Sequence, residues 1–364
     1  VLIELLGGLD GLSVLVPRDD DVYRRNRPTL ALPSASLLRF DEERGFPPHL
    51  IGLHELWHAG RMRIVDGAGY PHSTMSHFAG RVVWGAGFPN HSPVSSGWLA
   101  RLRQHLWSDD SRPELLTHLG DDLAPALRAP NLPVLCFERP TDLEWIAPCG
   151  RGEAAGPRPD TRREAEAAQT PGILSSLRET LSISRRLGPI LRSIDTGYSP
   201  RVEYPATDLG RRLRTIASLI DAGFGSRVYS VQHGGFDMHS GDHAQTVQAP
   251  QQFAEAVLAF LKDLEGTSAF EDTLVLCHSE FGRRPKENSA GGCDHGAAGM
   301  MFLFGGSMRG GLTGRRPSLT ELDANENLIP TMDFRRVYAA VIEQWFQADH
   351  EPVLLERLDV PELI

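Results

Sequence analysis

Five short segments carry side chains able to hold a cation or move a proton, and each is set at the end of an apolar run. Asp10 follows VLIELLGG, and Ser73, Ser76 and His77 follow MRIVDGAG. Asp237 and His239 follow SRVYSVQHGGF, with His243 four residues on; Glu280 follows DTLVLCHS; Asp294 and His295 stand just before MMFLFGG. Carboxylates and imidazoles without thiolates suit one or two divalent ions, Zn²⁺ or Mn²⁺ first and Ca²⁺ or Mg²⁺ as alternatives. Each element alone has a plainer reading. Asp10 is a turn former, Asp294-His295-Gly296 a β-turn, Glu280 a surface partner of Arg283, and Ser73 a helix cap. Turn chemistry does not require all of them to flank apolar strands, so the set points to a shared site.

The elements that must position these residues alternate along the chain. Strands are predicted at the start, at 62–69, 132–137, within 226–240, 272–284 and at 300–307. Helices are predicted over 47–60, after 71–78, over 97–107, 207–224, 251–266 and 333–346. The fold class is therefore α/β, a largely parallel central sheet with helices on both faces. In such a sheet polar residues collect at the carboxyl edge, where ligands bind. One domain spans 1–364, with a polar excursion at about 150–171 that is poor in large apolar groups.

Composition narrows the function. The 364 residues carry 37 Lys+Arg against 47 Asp+Glu, a net charge of −10, which argues against nucleic acid as partner. Apolar runs are strand-sized, short of the roughly 20 residues of a membrane span. The four cysteines form no C-x-x-C pair. Four acids, Asp10, Asp237, Glu280 and Asp294, are expected at one sheet edge, where they would repel an anion unless a cation neutralises them. The chain opens at Val1, straight into a strand, which leads us to expect that an upstream segment was removed.

GGLDGLSVLVP, STMSHF, GWLAR, GGFDMH, SEFGR with the following DHG, and DFRRVYAAVIEQW occur in the order of a bacterial family of uncharacterised proteins. In these motifs the chain resembles DUF1501, within the alkaline-phosphatase-like superfamily of phosphatases, sulfatases and phosphomutases. The resemblance implies an alkaline-phosphatase-like fold and twin-arginine export, hence a periplasmic or extracellular location. It implies Asp10 as the first metal aspartate and Ser76 or Ser73 as nucleophile. It further implies Asp237 and His239 as metal ligands, Glu280 in place of an Asp-His pair, and His295 as the last histidine. The spacing of Asp237 and His239 is shorter than in the phosphatases and mutases, which makes His243 the alternative ligand. Phe281 follows Glu280 where a histidine is expected, so Asp294-His295 could supply that pair. There is no C-x-P-x-R or S-x-P-x-R segment of the formylglycine sulfatases.

The expected activity is metal-dependent hydrolysis of phosphate or sulfate esters. The substrate would be an anionic ester, with a sugar among the candidates, gripped by Arg283. His77 would be a ligand, an acid for the leaving oxygen, or an orienting group. The alternative is a non-catalytic cell-envelope protein that keeps the fold and binds a glycan or a protein partner.

Overall fold

The computed structural model describes residues 1–89, 95–143, 173–240 and 243–364, the side chains of 173–180 and 243–245 excepted. The expected excursion at 150–171 and Cys149 lie outside the described residues. The chain divides into two compact units, Val1–Cys136 with Pro200–Ile364, and Phe137–Ser199. Within the smaller unit, a 3₁₀ turn at Pro140–Leu143 meets a long helix, Ile173–Gly197, where Gly188 lies against the Leu143 carbonyl.

The larger unit is built on one sheet. Its strands in chain order are β1 (Leu2–Leu5), β2 (Met62–Gly69), β3 (Leu116–Leu119), β4 (Leu135–Phe137), β5 (Val228–His233), β6 (Leu274–Ser279), β7 (Gly299–Gly305), β8 (Gly311–Gly314) and β9 (Met332–Asp333). They lie in the order β8-β2-β7-β6-β1-β5-β3-β4, with β9 also on β2. β1 runs parallel to β5 and β6, and β3 parallel to β5. The expected largely parallel sheet is borne out.

β7 is the exception, antiparallel to both β2 and β6. The chain leaves β6 through a hairpin, Gly282–Glu287 paired with Cys293–Gly296, and has no crossover helix before β7. A strand entered without a crossover must return beside its neighbour in the opposite sense. That return holds the hairpin at the carboxyl edge of β6.

Helices cover both faces, as expected. They include α1 (Ile51–His58), α2 (His77–Ala86), α3 (Trp98–Leu106), α4 (Asp208–Asp221), α5 (His243–Leu264) and α6 (Phe334–Ala340). Alternation along the strands sorts their side chains. Leu2, Val65, Leu276, Met301 and Leu303 join Trp84, Trp98, Phe334 and Tyr338 in one core. Phe302 and Phe304, of opposite parity, face Phe253 of α5 at ring distances of 6.0 and 6.2 Å. α5 begins earlier than the sequence suggests, because Pro250 reads as a boundary but is carried inside the helix at the loss of one backbone bond. Among the described residues no helix is long and apolar enough to cross a membrane.

β1 ends at two glycines that only glycine can supply. Gly7 and Gly8 have φ of +121° and +86°. A Cβ on Gly7 would fall 2.2 Å from the Asp237 amide nitrogen, and one on Gly8 would fall 2.5 Å from the Phe281 ring. The turn after β1 is thereby pressed against the segments that follow β5 and β6.

Candidate metal centre

Those segments and two others meet at the carboxyl edge. His77 opens α2, with Ser76 as its N-cap. Asp237 and His239 come after β5, and Glu280 directly after β6. Arg283 lies on the first strand of the hairpin, Asp294 and His295 on the second. The Asp294-His295-Gly296 turn reading is replaced by a strand.

Two imidazoles are locked in one tautomer. His77 Nδ1 lies 2.7 Å from Glu280 Oε1, and His295 Nδ1 lies 2.8 Å from the Met75 carbonyl oxygen. Each oxygen accepts a hydrogen bond from Nδ1–H, so either ring in its neutral form presents a bare Nε2. His77 Nε2 sits 3.3 Å from Asp237 Oδ2 yet makes no hydrogen bond, although it is buried. His295 Nε2 lies 3.2 Å from Asp237 Oδ1. His239 Nε2 approaches the same oxygen at 2.9 Å and His295 Nε2 at 2.9 Å. The ligand atoms of His77, Asp237 and His295 all fall within 4.8 Å of one another.

Lone pairs and a carboxylate facing one another repel unless something positive stands between them. The donor set therefore fits a divalent metal ion, with imidazole and carboxylate favouring Zn²⁺ or Mn²⁺. The second contacts of the two rings, a carboxylate and a backbone carbonyl, are those that orient ligating histidines. Glu280 is fixed in turn: Oε1 accepts from the Gly7 N–H at 2.9 Å, and Oε2 lies 3.0 Å from the Ser279 hydroxyl. Burial alone would raise the Asp237 carboxyl, but the hydrogen bond and charge of Arg283, with the imidazoles around it, outweigh burial and hold it at about 2. Burial pushes His295 down, and the Arg283 charge adds to that. The site thus keeps an ionised carboxylate beside a neutral ring, the states a cation requires.

The remaining expected residues divide. Asp294 stands at the rim, 3.6 Å from His239 Nδ1 and bonded to Asn288 at 3.0 Å. Asp10 stands apart from the histidines. Arg27 grips it through two bonds of 2.5 and 2.9 Å, and the Ser13 hydroxyl adds a third at 2.5 Å. Burial would raise its carboxyl, but the Arg27 charge prevails and lowers it. Ser76 spends its hydroxyl on the Ala79 N–H, whereas the Ser73 hydroxyl is buried with no partner. The side chain of His243 lies outside the described residues.

Arg283, expected to grip the substrate, is turned inward. Its side chain is only 2% exposed, and its donors go to the carbonyls of Gly7, Gly8, Phe236 and Cys293 and to Asp237. A guanidinium so engaged ties four chain segments together and turns its donors inward, away from a substrate anion. Sequence reasoning also missed Arg27, which no spacing marks, and the Met75 carbonyl, because main-chain acceptors leave no residue signature.

Two other features lie nearby in kind. Glu343, Asp349 and His350 also converge. However, His350 Nδ1 is bonded to Glu343 at 2.5 Å and Nε2 accepts from the Leu358 N–H at 2.9 Å, so neither nitrogen is open. Phe236 and Met238, on either side of Asp237, line an apolar cavity of about 400 Å³ with Leu9, Tyr23, Leu32 and Pro250.

Comparison with known proteins agrees with the motifs in part of the chain. No curated protein matches it. A crystal structure of a protein in the alkaline phosphatase superfamily from Vibrio parahaemolyticus is similar at a TM-score of 0.45 and 10% identity, covering 98% of this chain and 70% of that one. The family model described as "Protein of unknown function (DUF1501)" matches residues 203–357. Those residues include Asp237, His239, Glu280, Arg283, Asp294 and His295, and over them the resemblance to DUF1501 is borne out.

Proposed function

We propose that this protein is a metal-dependent hydrolase of phosphate or sulfate esters. The observation that carries the reading is the meeting of His77 Nε2, His295 Nε2 and the Asp237 carboxylate within 4.8 Å, with both rings held in the ligating tautomer. His77, Asp237 and His295 would hold the ion, with His239 as a further ligand on the open side. A divalent ion bound there supplies Lewis acidity toward an ester oxygen and favours the deprotonated form of an attacking hydroxyl or water. Glu280 keeps the His77 ring turned toward Asp237. Arg283 keeps the loops after β1 and β5 in register and tempers the carboxylate's charge. Ser73 is the better nucleophile of the two serines, since its hydroxyl is uncommitted while that of Ser76 caps α2. The first amides of α2 offer donors for an anionic oxygen in place of Arg283. The apolar cavity behind Phe236 and Met238 suits an ester with an aryl or alkyl portion.

The test is a metal analysis of purified protein paired with hydrolysis of an aryl phosphate and an aryl sulfate. Bound Zn or Mn, and loss of both metal and turnover in Asp237→Ala and His295→Ala, are expected. Turnover that survives in either variant, or protein that takes up no divalent ion, overturns the reading. The alternative, a cell-envelope protein that binds a glycan or a protein partner without catalysis, draws support from Arg283, whose commitment removes the expected anion clamp. Tight glycan binding that persists in Ser73→Ala, with no ester cleaved, would select it. The DUF1501 resemblance supports export to the periplasm, and fractionation of cells that produce the protein natively checks it.

A further inference from the structure

α1 carries the sequence His54-Glu55-Leu56-Trp57-His58, two histidines one helical turn apart. Positions i and i+4 share a face, so a rigid helix can offer both rings to one ion. Here the two Nε2 atoms are 3.0 Å apart and the ring centroids 4.3 Å apart. Both rings reach solvent, His58 being exposed and His54 half-buried. The helix under them is well anchored. Leu53 and Leu56 are buried, and a Cβ on Gly52 would fall 2.8 Å from the Ala254 carbonyl oxygen of α5. Trp57 stacks on Phe40 at 4.2 Å, and His54 meets the edge of Phe46 at 6.3 Å.

The separation of the nitrogens discriminates between geometries. With metal–nitrogen bonds of about 2.1 Å, two ligands at a right angle stand about 3.0 Å apart, and two at the tetrahedral angle about 3.4 Å apart. The observed 3.0 Å, a hydrogen bond between the two imidazoles whose proton an ion would displace, also suits the right angle. Adjacent imidazoles at a right angle belong to square-planar, tetragonal or octahedral ions, and affinity along the first row peaks at Cu²⁺ with Ni²⁺ next. Glu55 does not complete a protease-like set, because its carboxylate is paired with Lys262 at 2.8 Å. Among the described residues no third side-chain donor joins the pair.

We propose that His54 and His58 form a second metal site, a two-imidazole chelate on the surface of α1 that takes Cu²⁺ or Ni²⁺ in adjacent positions and leaves the rest of the coordination sphere to water. It is independent of the strand-edge cluster and shares no ligand with it. Calorimetric titration of Ni²⁺ into the full chain carrying Asp237→Ala with His239→Ala and His295→Ala, which leaves the strand edge a single imidazole, isolates this site. One equivalent is expected to bind, and His54→Ala or His58→Ala should each weaken it about 100-fold, the loss of an intramolecular second contact. Electron paramagnetic resonance of the Cu²⁺ form should show two equatorial nitrogens, falling to one in His58→Ala. If that variant does not fold, the wild type and His58→Ala are compared directly and should differ by one equivalent. Equal stoichiometry and affinity in the presence and absence of His58, or a copper spectrum unchanged by its removal, overturns the proposal. Loss of the strand-edge site alone leaves this titration intact, so the two readings fail separately.

Discussion

Asp10 and Asp237 make an instructive pair. Both follow an apolar strand at the same edge of the sheet, and both face a buried arginine. Asp10 meets Arg27 through both oxygens and adds Ser13, so its carboxylate is saturated by donors. Asp237 receives a bond from Arg283 and the approach of three imidazole nitrogens. The same residue type at the same place in the fold thus becomes a structural anion in one case and a candidate ligand in the other. The number of donors around a carboxylate, more than its position after a strand, decides which.

The comparison can be broken most severely at Asp10. Asp10→Ala leaves Arg27, whose side chain is 0% exposed, without its counter-charge. The expected cost is about 3–5 kcal/mol of stability, read by denaturant unfolding, with metal content unchanged. Asp237→Ala should do the reverse, abolishing metal uptake at the strand edge while Arg283 keeps its four carbonyls and the fold. If Asp10→Ala folds normally and loses metal, the division between the two aspartates is wrong.

A third carboxylate sharpens the contrast. Glu4 is 4% exposed and accepts a bond of 2.8 Å from the Gln232 amide. Burial raises its pKa from 4.5 to about 7, against the smaller opposing pull of Gln232. The folded protein therefore holds a proton there that the unfolded chain releases above about 4.5. This contribution to stability is full below about 4.5 and is lost as pH rises through about 7. Glu4→Gln should remove that slope, raising stability at pH 8 relative to pH 5 by on the order of 3 kcal/mol.

Smaller effects test the supports. Glu280→Gln, which weakens the hold on His77 Nδ1, is expected to lower metal affinity about 10–100-fold in a direct titration. Ser76→Ala should cost about 1 kcal/mol as a lost cap and leave the metal site alone. Ser73→Ala should leave stability nearly unchanged and remove aryl ester turnover if its hydroxyl attacks.

Much of the architecture was legible in the residues, and the reason differs by element. The strands at 2–5, 62–69 and 274–279 are almost wholly buried, so they read as mostly apolar runs despite Glu4, Arg63 and Asp66. β3 escaped notice because Thr117 and His118 interrupt its run, although both are fully buried. At the site, the polar segments were found because each closes such a run. What could not be read was partnership. Nothing in the spacing tells that Arg27 would claim Asp10, or that Arg283 would turn inward to main-chain oxygens. Those outcomes depend on loops that meet only once the sheet is formed.

That dependence has a consequence for how the protein is made. Glu280 is secured by the amide of Gly7, 273 residues away, and Arg283 by the Gly8 carbonyl, 275 residues away. Contacts of such sequence separation close late, after the entropy of a long loop has been overcome. A chain still emerging from the ribosome before its hairpin is synthesised has Asp237 but neither Glu280 nor His295. On the proposed reading, metal capture at the strand edge would accordingly be a post-folding event, while the paired histidines of α1, five positions of one helix, would be competent as soon as that helix is.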